Sequence, residues 1–460
     1  MDFTLFWSVF VVLGIIYFAI GMYASRHVAT EEEYFLAGRK FGFTTVTLTL
    51  IATQLGAGMV LGTSDEAYRV GFYGLLYNVG ICFGFILLGC GFASKLRGFN
   101  ISTTAELFEL KYNSVALRRL ASLLSILTLG GILAGQILAS RKLMGTFTDE
   151  YQWLITGFWL LVIFYTMFGG LKAVVATDIF QVILIMLIFG GVFTYTLMQE
   201  GFTADHANRL IEAQNTHFSA KDMGFGRLLG FLLMPMLFSL IEQDLAQRFF
   251  SAKTKRTAMM AAFIAGLTII LFSCVPVFFG MHAKLLGLVV APGASPLIAV
   301  IKHLTNDIAL VLVVCALIAA ISSTADSLLC AIGSNIIYDF NLTSNAPSEQ
   351  SAAILLSRAV TLVVGVGALI MAYFFDNVLD ILVQSYELSV SCLFIPIVMC
   401  FFKTRLFTKA AAFAVATGLV GFVLFRILPP PFPREVGALV FSLLGYIAGE
   451  LWAKSETQSV

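Results

Sequence analysis

Asp178, Asp326 and Glu387 stand inside long apolar runs, and Glu242 and Asp244 close another. A charge at the centre of a bilayer costs at least about 2.5–3.5 kcal/mol. Acids kept in such runs therefore pair with a cation, bind an ion or carry a proton. The densest polar group is Ser322, Ser323, Thr324, Asp326 and Ser327, in an otherwise apolar stretch. Hydroxyl and carboxylate oxygens are hard ligands and suit a hard cation such as Na⁺. Hydroxyls also bond between membrane helices, so the acid among them carries the argument for a cation. Residues 52–59 (ATQLGAGM), followed by Gly62, have a complementary character. Glycines at this density loosen a helix. A break there would free backbone carbonyls, which can hold a cation where they line a cavity; close helix packing is the other use of small residues. Pro235 interrupts a later apolar run, with Glu242 about two turns further on.

These residues need a membrane scaffold. Of the 460 residues, 59% are hydrophobic and 12% charged, whereas a soluble domain carries about 25% charged residues. The mean hydropathy of +0.92 agrees. A bilayer core takes roughly 20 apolar residues per helix, and that ruler predicts an all-α polytopic membrane protein with about 13 transmembrane helices. The short alternating segments of a membrane β-barrel are absent. The first apolar run lacks a basic region and a cleavage site before it, so it reads as a retained span. Residues 101–115 read as a capped amphipathic helix, with Ser102, Thr103 and Thr104 ahead of Glu106. Residues 200–224 form the longest polar loop. The larger share of the 28 Lys and Arg falls on one side if the N-terminus is outside, which predicts an N-out, C-in orientation.

Several functions are excluded. A net charge of +1 gives no footprint for nucleic acid. The seven cysteines lie in apolar runs without metal spacing, and the five histidines sit near span ends or in loops. No Cys/His or Ser/His/Asp cluster suggests a catalytic residue, so an enzyme is not expected. No G-x-x-x-x-G-K-[ST] loop is present, so ATP is not the expected drive. The expected partners are a small-molecule substrate and membrane lipids, with no obligate protein partner indicated and no output domain of the kind a sensor needs.

The sequence resembles the sodium:solute symporter family. The resemblance is carried by Glu33-Tyr34-Phe35-Leu36-Ala37-Gly38-Arg39, by Gly169-Gly170-Leu171-Lys172-Ala173 with Thr177, Asp178 and Gln181, by Gln247-Arg248 with Ala252-Lys253, and by Ala319-Ala320-Ile321-Ser322-Ser323-Thr324. It covers nearly the whole chain. Residues 62–68 and 324–327 look closer to the proline and choline branch than to the sugar branch. The resemblance implies a leucine-transporter-type fold with a five-plus-five inverted repeat. The expected divisions are 1–41 (an extra N-terminal helix and loop), 42–199 and 225–402 (the two repeats) and 403–460 (two further helices and a tail). It also implies Na⁺ as coupling ion, held by Ala52, Leu55, Ala320, Ser323 and Thr324. A second Na⁺ would map to Asp178, Asp326 and Ser327; here Asp326 stands where relatives have Ser, which could strengthen cation binding or carry a proton instead.

The walls of a substrate pocket would include Gln54, Gly58, Met59, Tyr77, Gln136, Glu242, Gln384 and Glu387. Gly58 and Met59 replace a polar pair that sugar carriers use. Gln54 and Glu242 fall where a choline carrier would place tryptophans, and a quaternary ammonium wants aromatic faces. A carboxylate with an amide suits an N–H-bearing cation or zwitterion, so an amino acid or small amine is expected. A proton-coupled carrier of the same fold, or a symporter of choline or another organic solute, are the alternatives. A bacterial inner membrane is the expected location.

Overall fold

The computed structural model describes residues 3–26, 28–145, 147, 152–200, 212, 214, 224–290, 294–342, 350–374, 378–428, 430 and 432–458. The polar loop expected at 200–224 lies almost wholly outside the described residues. Those residues are helical throughout, apart from connections and one isolated parallel bridge between Phe41 and Ala252. Eleven helical runs are long and apolar enough to cross a bilayer. The chain is thus an integral membrane protein of the expected all-α class, although the count of 13 is not reproduced. One reason is Phe43–Gln54, only 12 residues long. The other is Gln152–Glu200, which continues for 49 residues through a kink at Gly170.

That kink has a specific cause. Gly170 has φ 53° and ψ −145°, a conformation that only glycine adopts readily. A Cβ there would lie 2.3 Å from the carbonyl oxygen of Tyr34. The short helix Glu31–Leu36 nests in the bend. Its Tyr34 hydroxyl donates to the Met167 carbonyl at 2.9 Å and meets Thr361 Oγ1 at 3.1 Å. A reciprocal cap starts this helix: Glu33 N–H donates to Thr30 Oγ1 at 3.1 Å, and Ala29 N–H donates to Glu33 Oε2 at 2.9 Å. The Ala29 amide holds the Glu33 carboxyl below the usual range. We expect Gly170→Ala to lose at least about 1–3 kcal/mol from backbone strain alone, read as a lower unfolding temperature in detergent. An unchanged temperature would mean that the kink is not needed for packing.

The capped helix expected within 101–115 is found at Glu106–Tyr112. Thr103 Oγ1 accepts from Glu106 N–H at 3.2 Å, and Glu106 Oε2 accepts from Ser102 N–H at 2.8 Å. Thr103 also donates to Asp339 at 2.6 Å, and Arg118 reaches the same carboxylate at 2.8 Å. This binds the short helix to the end of the longest buried one.

Asp307–Asp339 is that central helix. It packs against Val115–Gly145, Gln152–Glu200 and Gln350–Met371. In lipid, helix association rests on packing and interhelical hydrogen bonds rather than on expulsion of water. The run of Ser, Thr and Ala from 316 to 327 fits that role and is buried throughout.

Two spans are broken. Phe43–Gln54 stops at Leu55, and helix resumes from Ala57 through a wide turn, Gly58–Gly62, into Thr63–Val70. Phe225–Ser239, with Pro235 inside it, stops before 240–242; Gln243–Ser251 then restarts after Glu242, whose backbone is extended at φ −62° and ψ 126°. The glycines foreshadow the first interruption; at the second the helix runs through Pro235, where the interruption was expected, and ends only after Ser239.

Candidate functional site

The central helix meets the first break. Ser323 Oγ donates to the carbonyls of Ala52 (2.9 Å) and Ala320 (3.0 Å). Thr324 Oγ1 donates to the carbonyls of Thr53 (2.8 Å) and Ala320 (3.3 Å). Two hydroxyls of one helix therefore touch the last carbonyls of another just before it breaks. Leu55 marks that break, with its N–H shared between Ile51 and Ala52. Gly56 makes the approach possible, since a Cβ there would lie 2.6 Å from Thr324 Oγ1. The oxygen set is hard, uncharged and buried, the chemistry that suits a desolvated monovalent cation. The structure thus brings Ala52, Ala320, Ser323 and Thr324 together, with Leu55 at their edge.

A charged cluster adjoins them. Asp178 Oδ2 accepts from Thr49 and, at 3.2 Å, from Arg248 Nη2. Arg248 Nη2 also donates to Ser327 Oγ, its Nε to Thr49 Oγ1 at 2.9 Å, and its Nη1 to the Asp244 carbonyl at 2.9 Å. Ser327 in turn donates to the Ser323 carbonyl at 2.7 Å, which links this cluster to the first. Arg248 and Asp178 are both fully buried. Asp178 and Ser327 thus meet through a guanidinium, whereas the hydrogen-bond partner of Asp326 is the Tyr165 hydroxyl at 2.6 Å. Arg248 was not among the expected site residues. In the sequence it stood only within the Gln247-Arg248 motif of the family resemblance and four residues from Asp244 on one helix.

Beside the breaks lies a third group. Gln136 Oε1 accepts from the Ala57 N–H at 2.9 Å, tying the long helix Val115–Gly145 to the first break. At the second break, Gln54 and Asp244 face the Glu242 carboxyl. Tyr77 and Tyr386 meet hydroxyl to hydroxyl at 2.8 Å, within electrostatic range of Glu242. Phe238 stacks on Tyr386 at 4.6 Å. Gly58 leaves room for this pair, since a Cβ there would be 3.1 Å from Tyr77 Oη and 3.2 Å from Leu382. Met59 is buried, and its carbonyl accepts from Asn78 at 3.3 Å.

Two expected pocket residues are placed elsewhere. Gln384 lines a largely apolar cavity of about 450 Å³ with Gly130, Gly131, Ile381 and Ser385. Glu387 accepts from Arg426 at 2.8 Å and lies 3.6 Å from Arg434, near the last two helices. The helix Val378–Ser389 turns about 100° per residue. Leu382 and Tyr386 therefore face the breaks, while Gln384 and Glu387 point away. Tyr386 and Phe238 stand in the place of those two, and Asp244, one of the acids set in the apolar runs, joins Glu242 there.

A sequence profile of the sodium:solute symporter family matches residues 34–419. Among solved structures, the chain is similar to a Na⁺-coupled sialic acid symporter in a substrate-bound outward-open state, at 18% identity, 97% coverage of each chain and a TM-score of 0.82. It is also similar to Mhp1, a nucleobase-cation-symport-1 family transporter in a closed conformation (16% identity, 93% of this chain and 95% of that one, TM-score 0.58). A third is MhsT in complex with L-phenylalanine (15% identity, 89% and 99% coverage, TM-score 0.53). At these identities the likeness concerns the fold, which is of the leucine-transporter type.

Proposed function

This chain belongs to the sodium:solute symporter family and couples Na⁺ movement to that of a small solute; from that premise we propose that the solute is an amino acid or small amine, taken up by alternating access. The coupling reading rests on the contact of Ser323 and Thr324 with the carbonyls of Ala52 and Thr53, and the solute reading on the Glu242 carboxyl beside the Gln54 amide. A Na⁺ bound among Ala52, Leu55, Ala320, Ser323 and Thr324 would hold the central helix and the first broken helix in one relative arrangement. Gln54, Gly58, Tyr77 and Gln136 lie on or against that broken helix, so fixing it preorganises the solute site. This is positive coupling between two ligands, and it is reciprocal. The two breaks fall in 42–199 and 225–402 at corresponding places, which supports reading those segments as inverted repeats around the site.

In this cycle Na⁺ enters first, solute binds, the breaks close over it, and both leave on the other side. An inward Na⁺ contributes about 2.3 kcal/mol per 100 mV in addition to its gradient. The charge bias supports an N-out, C-in orientation in a plasma membrane, with a bacterial inner membrane as the proposed location. Uptake into proteoliposomes under an inward Na⁺ gradient, with K⁺ as control, tests the reading. Na⁺-dependent accumulation of one of a panel of amino acids and amines is expected; equal uptake in K⁺ would overturn it. A proton-coupled cycle is the second reading, favoured by Asp326 Oδ1, which has no hydrogen-bond partner. Uptake that follows pH and ignores Na⁺ would select it.

A further inference from the structure

The core around the two breaks holds more acids than bases. Asp178, Glu242, Asp244 and Asp326 are buried there with one guanidinium, Arg248. Arg248 is already spent. Its donors go to Asp178, Ser327, Thr49 and the Asp244 carbonyl, and its ion pair is with Asp178. Neither Oδ of Asp244 has a well-formed hydrogen bond, and its carboxyl lies against that of Glu242. Arg248 is the positive charge nearest both carboxyls, but its donors lie elsewhere, so the Asp244 oxygens are left as acceptors that a cationic N–H group would satisfy.

Two further observations describe that cation. Tyr77, Tyr386 and Phe238 pack together beside Glu242. Aromatic rings accept both an apolar body and a positive charge. By contrast, a solute carboxylate would face these same two acids. The helix Gln243–Ser251 carries Asp244 in its own first turn, where an anion would otherwise bind. The Ala57 N–H is taken by Gln136, and the N–H groups of Leu240, Ile241 and Glu242 are taken by the carbonyls of Leu237 and Phe238.

We propose that the solute is a small organic ammonium that carries N–H groups and no carboxylate, its charge set against Glu242 and Asp244 and its carbon body against Tyr77, Tyr386 and Phe238. The proposal rests on the symport reading and narrows its substrate class.

The test uses the full chain, purified and in proteoliposomes, with compounds that differ only in a carboxylate: ethanolamine and serine, isobutylamine and valine, phenethylamine and phenylalanine. Thermal stabilisation and competition for uptake are measured for each, in Na⁺ and in K⁺. At least one amine should act at a concentration about tenfold or more below that of its amino acid, and Glu242→Gln should remove the preference. Should Glu242→Gln fail to fold, Asp244→Asn replaces it with the same expectation. An amino acid that equals or outperforms its amine in each pair overturns the ammonium class. If that preferred acid is Na⁺-dependent, the symport reading stands. An amine preference that is indifferent to Na⁺ upholds the class and removes the coupling instead. No response to any amine in either assay overturns the proposal.

Discussion

Arg248→Gln is expected to lose about 3–5 kcal/mol of stability, because removal of one partner leaves a buried charge alone. Both members of the Arg248–Asp178 pair are fully shielded. Asp178 would keep only the Thr49 hydroxyl on its Oδ2. Asp178→Asn should cost a similar amount for the opposite reason, since the guanidinium would then lack its counter-charge. The double variant Asp178→Asn/Arg248→Gln removes both charges, and neutral amides can still bond to Thr49 and Ser327. It should therefore be more stable than the sum of the single losses predicts, by at least about 1 kcal/mol. Unfolding in detergent, followed by temperature and by denaturant, measures all three. Additive losses would show that the two groups do not depend on each other, and the described ion pair would carry no energy. The pair also joins the helix after the second break to the helix that carries Asp178. Variants that fold should therefore show altered transport as well.

Ser323→Ala should raise the Na⁺ concentration for half-maximal uptake by about tenfold or more. A hydroxyl bonded to a charged group is worth about 1.5–3 kcal/mol, and 1.4 kcal/mol is a factor of ten. Gly56→Ala should act at the same place by a different route. Its new methyl would sit 2.6 Å from Thr324 Oγ1 and 3.1 Å from Gln136 Oε1, so the central helix and the break would be pushed apart. Ser322→Ala is the control. That hydroxyl bonds to the Ala319 carbonyl at 3.0 Å and accepts from Gln181 at 3.2 Å, on another face of the same helix. Its Na⁺ requirement should change less than about threefold, below the scale of a lost charged hydrogen bond. Equal shifts for Ser322→Ala and Ser323→Ala would sink the assignment of the Na⁺ site to the Ser323 face.

Much of the architecture could be read in the residues because each signal was local. A bilayer demands long apolar helices, so composition alone named the class. Glycine acts on the backbone within a turn of itself, so 52–59 announced the first break; Pro235 marked only the span of the second, which opens more than a turn beyond it. Thr103 and Glu106 lie three apart, and their reciprocal cap formed as expected. The number of separate helices was less legible. A residue such as Gly170 bends a helix without ending it, and whether two spans become one run depends on what fills the bend, here Tyr34.

By itself, then, the sequence determined that this chain spans the membrane, that glycines and a proline stand in two of its spans, and that hydroxyls and acids are set within apolar helices. Only the tertiary structure decided which acid meets which base. Arg248 reaches Asp178 across 70 residues of chain, and Arg426 reaches Glu387 across 39. The same packing turns Tyr386 toward Glu242 and sends Gln384 to a separate cavity. The physical reason is that composition and spacing act along one helix. The partner of a buried charge is set by how that helix is rotated and seated against others that are distant in the chain.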